Sequence, residues 1–338
     1  MKFKGECTDP LLGLHKTADL RPMSVSIPPS LRPGDTIAIV PTARAITVAE
    51  LQDGIALAES WGLKVKLGDG IGRKHFQQAG TAEERAADLQ QMLDDPAVRA
   101  IWCARGGYGT VHLMDHLDLS SLERDPKWIV GFSDITVLHN ALHNLGIASL
   151  HAQMPFNIGT KTEECRESLR RALMEGEWSM ATSEWVSYPF TIDHSPFTRE
   201  GTCEGELVGG NLSLLYALRG TPYDIDPRGK VLFIEDLDEL LYHLDRMVQN
   251  LRLSGWFKGL AGLIVGGMSD MHDKNPADPF GKTAEQIIAD AVGDADFPVC
   301  YGFPAGHIDD NRALVLGQKA KLSVTGNGAT LSFTRQNA

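Results

Sequence analysis

A serine on a bend between a buried strand and a helix is one of the few placements in which a hydroxyl can serve as an acyl-transfer nucleophile, and the stretch Trp128-Ile129-Val130-Gly131-Phe132-Ser133-Asp134-Ile135-Thr136 offers one. A short apolar run breaks at Gly131 and gives way to Ile135, Leu138, Leu142 and Leu145 at helical spacing. Ser133 then lies on a strand-to-helix turn, with the first helix amides pointing towards whatever binds beside it. The usual elbow reads Gly-x-Ser-x-Gly, and Ile135 holds its last place. The bland alternative is an N-cap that accepts amide hydrogen bonds and does no chemistry, and the turn alone favours it.

A serine nucleophile needs a base, and the base needs a group that fixes its tautomer. Among eleven histidines, His307 stands out in Phe303-Pro304-Ala305-Gly306-His307, a Gly/Pro turn directly after a strand. His112, His116, His139 and His143 fall on helices, where packing or solvation suffices to explain them, and His272 lies in a polar loop. For the third group, Glu235 ends the apolar run Leu232-Phe233-Ile234 and opens Glu235-Asp236-Leu237-Asp238-Glu239. A carboxylate at a strand lip can pair firmly with an imidazolium. An acidic first turn of the next helix, favoured by its dipole, explains the same run, and both readings stand. The turn Arg105-Gly106-Gly107-Tyr108-Gly109 lets backbone amides approach a ligand, and those of Gly106 or Gly107 could join Asp134 in stabilising an oxyanion. It matches neither G-x-G-x-x-G nor a Walker loop, and no H-E-x-x-H or clustered metal-ligand spacing occurs.

These residues have to be positioned by an alternating pattern. Strands are expected at 36–40, 63–67, 100–104 and 128–131, with helices over 48–61, from a capping box at Thr81-Ala82-Glu83-Glu84 to Leu93, through Val111, Met114 and Leu117, and after Ser133. Repeated β-α units imply a parallel sheet covered by helices, with ligands gathering outside the carboxyl ends of its strands. A helix at 162–174 closes this unit. Residues 175–200 lose periodicity and read as a linker or junction loop. A strand-rich second unit starts near Gly201: a strand at 203–208, a turn at Gly209-Gly210-Asn211, a helix at 212–218, a strand at 230–235, a long helix through Leu240 and Leu251, a strand at 260–265, a helix at 284–292, then strand-like runs at 298–303, 313–324 and 329–333. The division is therefore an irregular extension over 1–27, an N-terminal α/β domain over 28–175, a junction over 176–200 and a β-rich domain over 201–338.

The 338 residues suffice for two cores. A formal charge of -12 argues against a nucleic-acid polymer as partner, because phosphate binding draws on clustered Lys and Arg. Five scattered cysteines, without a C-x-x-C pair, suit reduced thiols in the cytoplasm. The apolar cluster Leu11, Leu12 and Leu14 is too short and broken for a signal peptide, and no segment approaches a membrane span.

Six motifs in order, Arg105-Gly106-Gly107-Tyr108-Gly109, Gly131-Phe132-Ser133-Asp134-Ile135-Thr136, Gly209-Gly210-Asn211-Leu212, Gly220-Thr221-Pro222, Phe233-Ile234-Glu235-Asp236 and Gly306-His307, resemble the LD-carboxypeptidase family of serine peptidases, which includes microcin-immunity-type peptidases. The resemblance runs from about Leu31 to Phe333. It implies a flavodoxin-like N-terminal domain, a β-rich C-terminal domain of swivelling β/α/β type, and homodimers. It implies Ser133 as nucleophile, His307 as base, Glu235 as the residue orienting it, and an oxyanion hole from the amides of Asp134 and a glycine of Gly106-Gly107. The implied reaction removes the terminal D-alanine of a muropeptide tetrapeptide, with no metal or organic cofactor. Arg105 is the nearest candidate for the substrate carboxylate, and Asn211 either contacts the peptide or caps a helix. Two other readings are kept: a microcin-immunity-like hydrolase of peptidyl or aminoacyl nucleotides, with Trp178 or Trp185 stacking on the base, and a non-catalytic module that binds peptides or sugars in the cleft.

Overall fold

The computed structural model describes residues 25–175, 186–190, 195–326 and 328–333. In chain order its strands are β1 (Thr36–Val40), β2 (Lys64–Leu67), β3 (Val98–Cys103), β4 (Trp128–Gly131), β5 (Ser149–His151), β6 (Val186–Phe190), β7 (Gly201–Asn211), β8 (Val231–Leu237), β9 (Gly262–Ser269), β10 (Val299–Cys300), β11 (Leu314–Leu316), β12 (Lys319–Thr325) and β13 (Gly328–Phe333). The α-helices are α1 (Gln52–Ser60), α2 (Ala82–Asp94), α3 (Ser121–Arg124), α4 (Thr136–Asn144), α5 (Glu163–Arg170), α6 (Leu212–Ala217), α7 (Leu241–Leu253) and α8 (Ala284–Val292). The expected helix through Val111 and Met114 is a 3-10 helix, Thr110–His116.

The first sheet has the order β11-β5-β4-β3-β1-β2, and β1 to β5 are parallel. Without β11 this is the 2-1-3-4-5 order of a flavodoxin-like domain. Its strands read as continuous apolar runs because both faces are covered: Ile37, Ile39, Ile101, Trp102, Ile129 and Val130 are essentially inaccessible. Each such side chain contributes roughly 1.5–3 kcal/mol on burial. The capping box is formed, with Thr81 Oγ1 accepting from the Glu84 amide and Glu84 Oε2 from that of Thr81, so α2 starts where its sequence says.

The second sheet, β10-β9-β8-β7-β12-β13-β6, is parallel from β10 to β7 and antiparallel beyond. Three expectations change here. Gly209-Gly210-Asn211 is not a turn: it completes β7, paired with Phe233, Ile234 and Glu235 of β8. The glycines answer to close packing, since a Cβ on Gly209 would lie 1.9 Å from the Phe233 carbonyl oxygen and one on Gly210 2.6 Å from Thr136 Oγ1. Part of the aperiodic junction, Val186–Phe190, is an edge strand whose pairing comes from β13. The strand-like run over 313–324 splits, with β12 staying in the second sheet while β11 joins the first, antiparallel to β5.

That last exchange holds the two halves together. The segment between β10 and β11 carries His307 and is tied to the first half throughout: Lys161 Nζ donates to the Ile308 carbonyl at 3.1 Å, the Thr162 amide to Asp309, and Asn311 Nδ2 to Gln153 Oε1 at 3.3 Å. Farther along, the Ala313 amide donates to Ser168 Oγ at 2.9 Å. From the other side, the Asn211 amide donates to Thr136 Oγ1 at 3.0 Å. Gly209→Ala is expected to destabilise the protein by at least about 2 kcal/mol, through a clash that backbone alone must relieve. Denaturant unfolding checks this, and an unchanged midpoint would show that β7 and β8 do not approach so closely.

Candidate active site

Ser133 is in the left-handed region at φ 62°. For a serine that conformation costs about 1–3 kcal/mol and has to be imposed by its surroundings. The imposition is legible: β4 ends at Gly131, Phe132 is extended, and a 3-10 turn, Ser133–Ile135, runs into α4. The missing second glycine of the elbow is explained by packing, because a Cβ on Gly131 would sit 2.7 Å from Ile135 Cγ1. One glycine leaves the room that the isoleucine fills. A cap is not what the serine provides, as no side-chain capping bond forms at this turn.

Glu235 is fully buried inside β8, and α7 begins only at Leu241. The reading of the acidic run as a first helical turn is therefore corrected: Glu235 and Asp236 are strand residues with partners of their own. Glu235 Oε2 accepts from His307 Nδ1 at 2.6 Å. The approach requires glycine before the histidine, since a Cβ on Gly306 (φ 106°) would lie 2.7 Å from Glu235 Cβ. Asn311 Oδ1 accepts from the Gly306 amide at 2.8 Å and fixes that turn. Burial alone would raise the Glu235 carboxyl, but the imidazoles of His307 and His151 facing it bring it down to about 2. Burial pulls His307 the other way, towards the neutral form, and the Glu235 charge and hydrogen bond overcome it, so its pKa lies above the ordinary imidazole value. An ionised carboxylate only accepts, so the proton of neutral His307 is on Nδ1 and its Nε2 lone pair is left to act as a base.

Ser133 and His307 line one cavity of about 660 Å³, together with Gly106, Gly107, Arg105 and Asn211. The Phe132 ring, next to the serine, packs on the His307 ring at 4.8 Å between centroids. The Gly106 turn touches the serine turn, since a Cβ there would lie 3.6 Å from Ser133 Cβ. The Asp134 carboxylate is occupied elsewhere: its buried Oδ2 accepts from Thr110 N at 2.9 Å and Oγ1 at 2.7 Å, and burial raises its pKa. Arg105 stacks over Phe156 at 4.2 Å and lies 3.7 Å from Glu50. Asn211 caps α6 by accepting from the Leu214 amide, and donates to Asp236 Oδ1 at 2.9 Å. Burial, then the adjacent Glu235, pushes Asp236 up to about 6. Arg44, Lys161, Asp238 and Glu239 also line the cavity.

Of the other histidines, His139 is packed within the fold, with Nε2 donating to the Gly131 carbonyl at 2.9 Å and Nδ1 accepting from Ser149 Oγ at 2.8 Å. Burial and then His151 lower it to about 3. His272 is on an exposed loop, 3.8 Å from Asp238. Sequence reasoning missed His151, Asn311, Gln153 and Lys161. The strand that carries His151, Ser149–His151, is too short to give a sequence signal.

Comparison with known proteins gives the family of the chain. Residues 37–152 match the model of the LD-carboxypeptidase N-terminal domain and residues 204–322 that of the C-terminal domain. The chain is 36% identical over 311 residues to the probable murein peptide carboxypeptidase of Bacillus subtilis (strain 168), covering 90% of this chain and 93% of that protein. It belongs to the LD-carboxypeptidase family. Among solved structures, the muramoyltetrapeptide carboxypeptidase of Oxalobacter formigenes superposes on this family member with a TM-score of 0.76 at 27% identity, over 90% of this chain and 100% of that one. The microcin C7 self-immunity protein MccF with glutamyl sulfamoyl guanosine superposes with a TM-score of 0.79 at 21% identity, over 91% and 98%, a likeness of fold.

A protonated imidazole cannot accept a proton and the His307 pKa is raised, so Ser133 reactivity that depends on His307 is expected to grow with pH along a limb centred above the ordinary imidazole value of about 6.5. Fluorophosphonate labelling of Ser133 measured against pH is expected to show that limb. Glu235→Gln is expected to slow labelling by on the order of a thousandfold and move the limb down. A limb below the ordinary value in the native protein would contradict the pairing.

Proposed function

We propose that the protein is a serine LD-carboxypeptidase that hydrolyses the amide before the terminal D-alanine of murein tetrapeptides. The observation that carries this reading is the 2.6 Å hydrogen bond between buried Glu235 and His307 beside a strained Ser133, in a chain of this family. Ser133 Oγ attacks the carbonyl carbon preceding the D-alanine while His307 Nε2 accepts its proton. The tetrahedral oxyanion is held by the amides of Asp134 and of Gly106 or Gly107. His307 returns the proton to the leaving amine, the C–N bond breaks, and D-alanine departs. A water, deprotonated by the same nitrogen, then cleaves the acyl-serine and restores the hydroxyl.

A carboxypeptidase has to recognise a free carboxylate, and Arg105, on the lining of the cavity, supplies the charge for it. Asn211 is a support for Asp236 and the α6 terminus in this reading, and reaches the substrate from the lip of β7. Work on recycled cell-wall peptides belongs in the cytoplasm, and the free thiols Cys103, Cys165, Cys203 and Cys300 suit a reducing compartment. Among the described residues no helix is long and apolar enough to cross a membrane. A homodimer is part of the same proposal, from the family resemblance alone.

The hydrolysis of aminoacyl or peptidyl nucleotides keeps the same three residues, and the likeness to MccF favours testing it beside the first. Trp178 and Trp185, the residues expected to stack on a base, lie outside the described residues. Incubation with muropeptides followed by mass spectrometry is expected to show loss of one alanine from tetrapeptide and none from pentapeptide. Ser133→Ala is expected to reduce turnover by a factor of roughly a thousand or more. Turnover of an aminoacyl sulfamoyl adenylate without any of tetrapeptide would replace the muropeptide reading, and unchanged function in Ser133→Ala would mark a binding module.

A further inference from the structure

The acyl-transfer scheme uses one oxygen of Glu235 and leaves a second buried imidazole without a task. His151 ends β5 and is fully buried, with Phe233 edge-on at 4.9 Å, Phe132 at 5.8 Å and His139 at 6.3 Å between ring centroids. Its Nε2 lies 4.0 Å from Glu235 Oε1. Among the described residues neither nitrogen of His151 has a hydrogen-bond partner, and neither does Glu235 Oε1. A buried carboxylate kept ionised thus has one oxygen without a protein partner, and a side-chain nitrogen 4.0 Å from that oxygen has none either. Buried polar atoms are rarely left so, and a charged acceptor least of all.

The backbone of His151 is clamped where this matters. It stands opposite Gly131 in β4, two residues before Ser133, and opposite Leu314 in β11, seven residues after His307. A ring tilt that shortens 4.0 Å to about 3 Å completes a hydrogen bond without moving either strand. We propose that His151 is a positioning residue, whose Nε2–H donates to Glu235 Oε1 and makes the carboxylate a bridge between two imidazoles. This rests on the orienting role proposed for Glu235. The proton belongs on Nε2 because a carboxylate only accepts, and a proton on Nδ1 would be an unpaired donor among aromatic rings.

The bridge does two things. It stops the carboxylate from rotating, so that Oε2 stays on His307 Nδ1. It also shares the negative charge between two donors, which limits how tightly Glu235 holds an imidazolium at His307. The charged or titratable groups around it are few: His307 and His151 face Glu235, Asp236 adjoins it along β8, Lys161 reaches the Ile308 carbonyl beside His307, and His139 lies behind His151. Burial, and then His151, keep His139 neutral against the opposing pull of its bond to the Gly131 carbonyl.

Two substitutions separate this role from mere filling of space. His151→Phe keeps a ring of similar volume without a donor, and His151→Gln keeps a donor near Nε2. The phenylalanine variant is expected to lose roughly tenfold or more in kcat with KM within about twofold, and to move the acidic limb of the pH profile up by roughly half a unit. The glutamine variant is expected to recover most of both. A phenylalanine variant with native rate and limb overturns the proposal, as does an equal loss in both variants with the limb unmoved. The limb can be followed by fluorophosphonate labelling, which needs no assumption about the natural substrate. In the unaltered protein, imidazole ¹⁵N NMR gives a measurement free of any folding defect. A His151 ring protonated on Nε2 is the expected result, and one protonated on Nδ1 overturns the proposal even if peptide hydrolysis is established.

Discussion

A carboxylate with no solvent access has to stay charged, and the site is organised around how that is achieved. Glu235 sits in the parallel part of a mixed sheet where burial opposes ionisation, and the 2.6 Å bond to His307 with a further imidazole at 4.0 Å offsets it. The arrangement ties function to architecture, because none of these groups is near another in sequence. Removing one partner would leave the rest buried and uncompensated, which is more costly than the pair is worth in isolation.

The fold meets that demand with one exchange of strands. Glu235 belongs to the second sheet and Ser133 to the first, while His307 lies on a segment that leaves the second sheet and ends as β11 in the first. Lys161, Gln153 and Ser168 hold this segment along its length. His307 is therefore positioned by the sheet that carries Ser133 on one side and by Glu235 on the other. Glycines appear at the points of closest approach, Gly209 and Gly210 where β7 meets β8 and Thr136, and Gly306 where the turn passes Glu235.

What could be read from the sequence follows from the range of the forces involved. The parallel sheet was legible from Thr36 to Gly131 because strands buried on both faces are unbroken apolar runs separated by helical spacing. Ser133 was legible because a turn between strand and helix is a local feature. Glu235 was found but left between two explanations, since its neutralising partner is 72 residues away and only strand pairing reveals it. Gly209-Gly210-Asn211 read as a turn because a glycine pair usually marks one, whereas here the neighbouring strand demands it. The three-residue strands β5 and β11 are too short for periodicity, which concealed both the crossover and His151.

A crystal structure of the protein phosphonylated by a fluorophosphonate tests most directly whether a hydroxyl, an imidazole and a buried carboxylate act as one unit. The expected result is a bond from phosphorus to Ser133 Oγ, a phosphoryl oxygen within about 3 Å of the Asp134 amide, and His307 Nε2 within hydrogen-bond reach of the adduct while Nδ1 stays on Glu235. An adduct on any other residue, or one on Ser133 with His307 turned away from both the serine oxygen and Glu235, would contradict it.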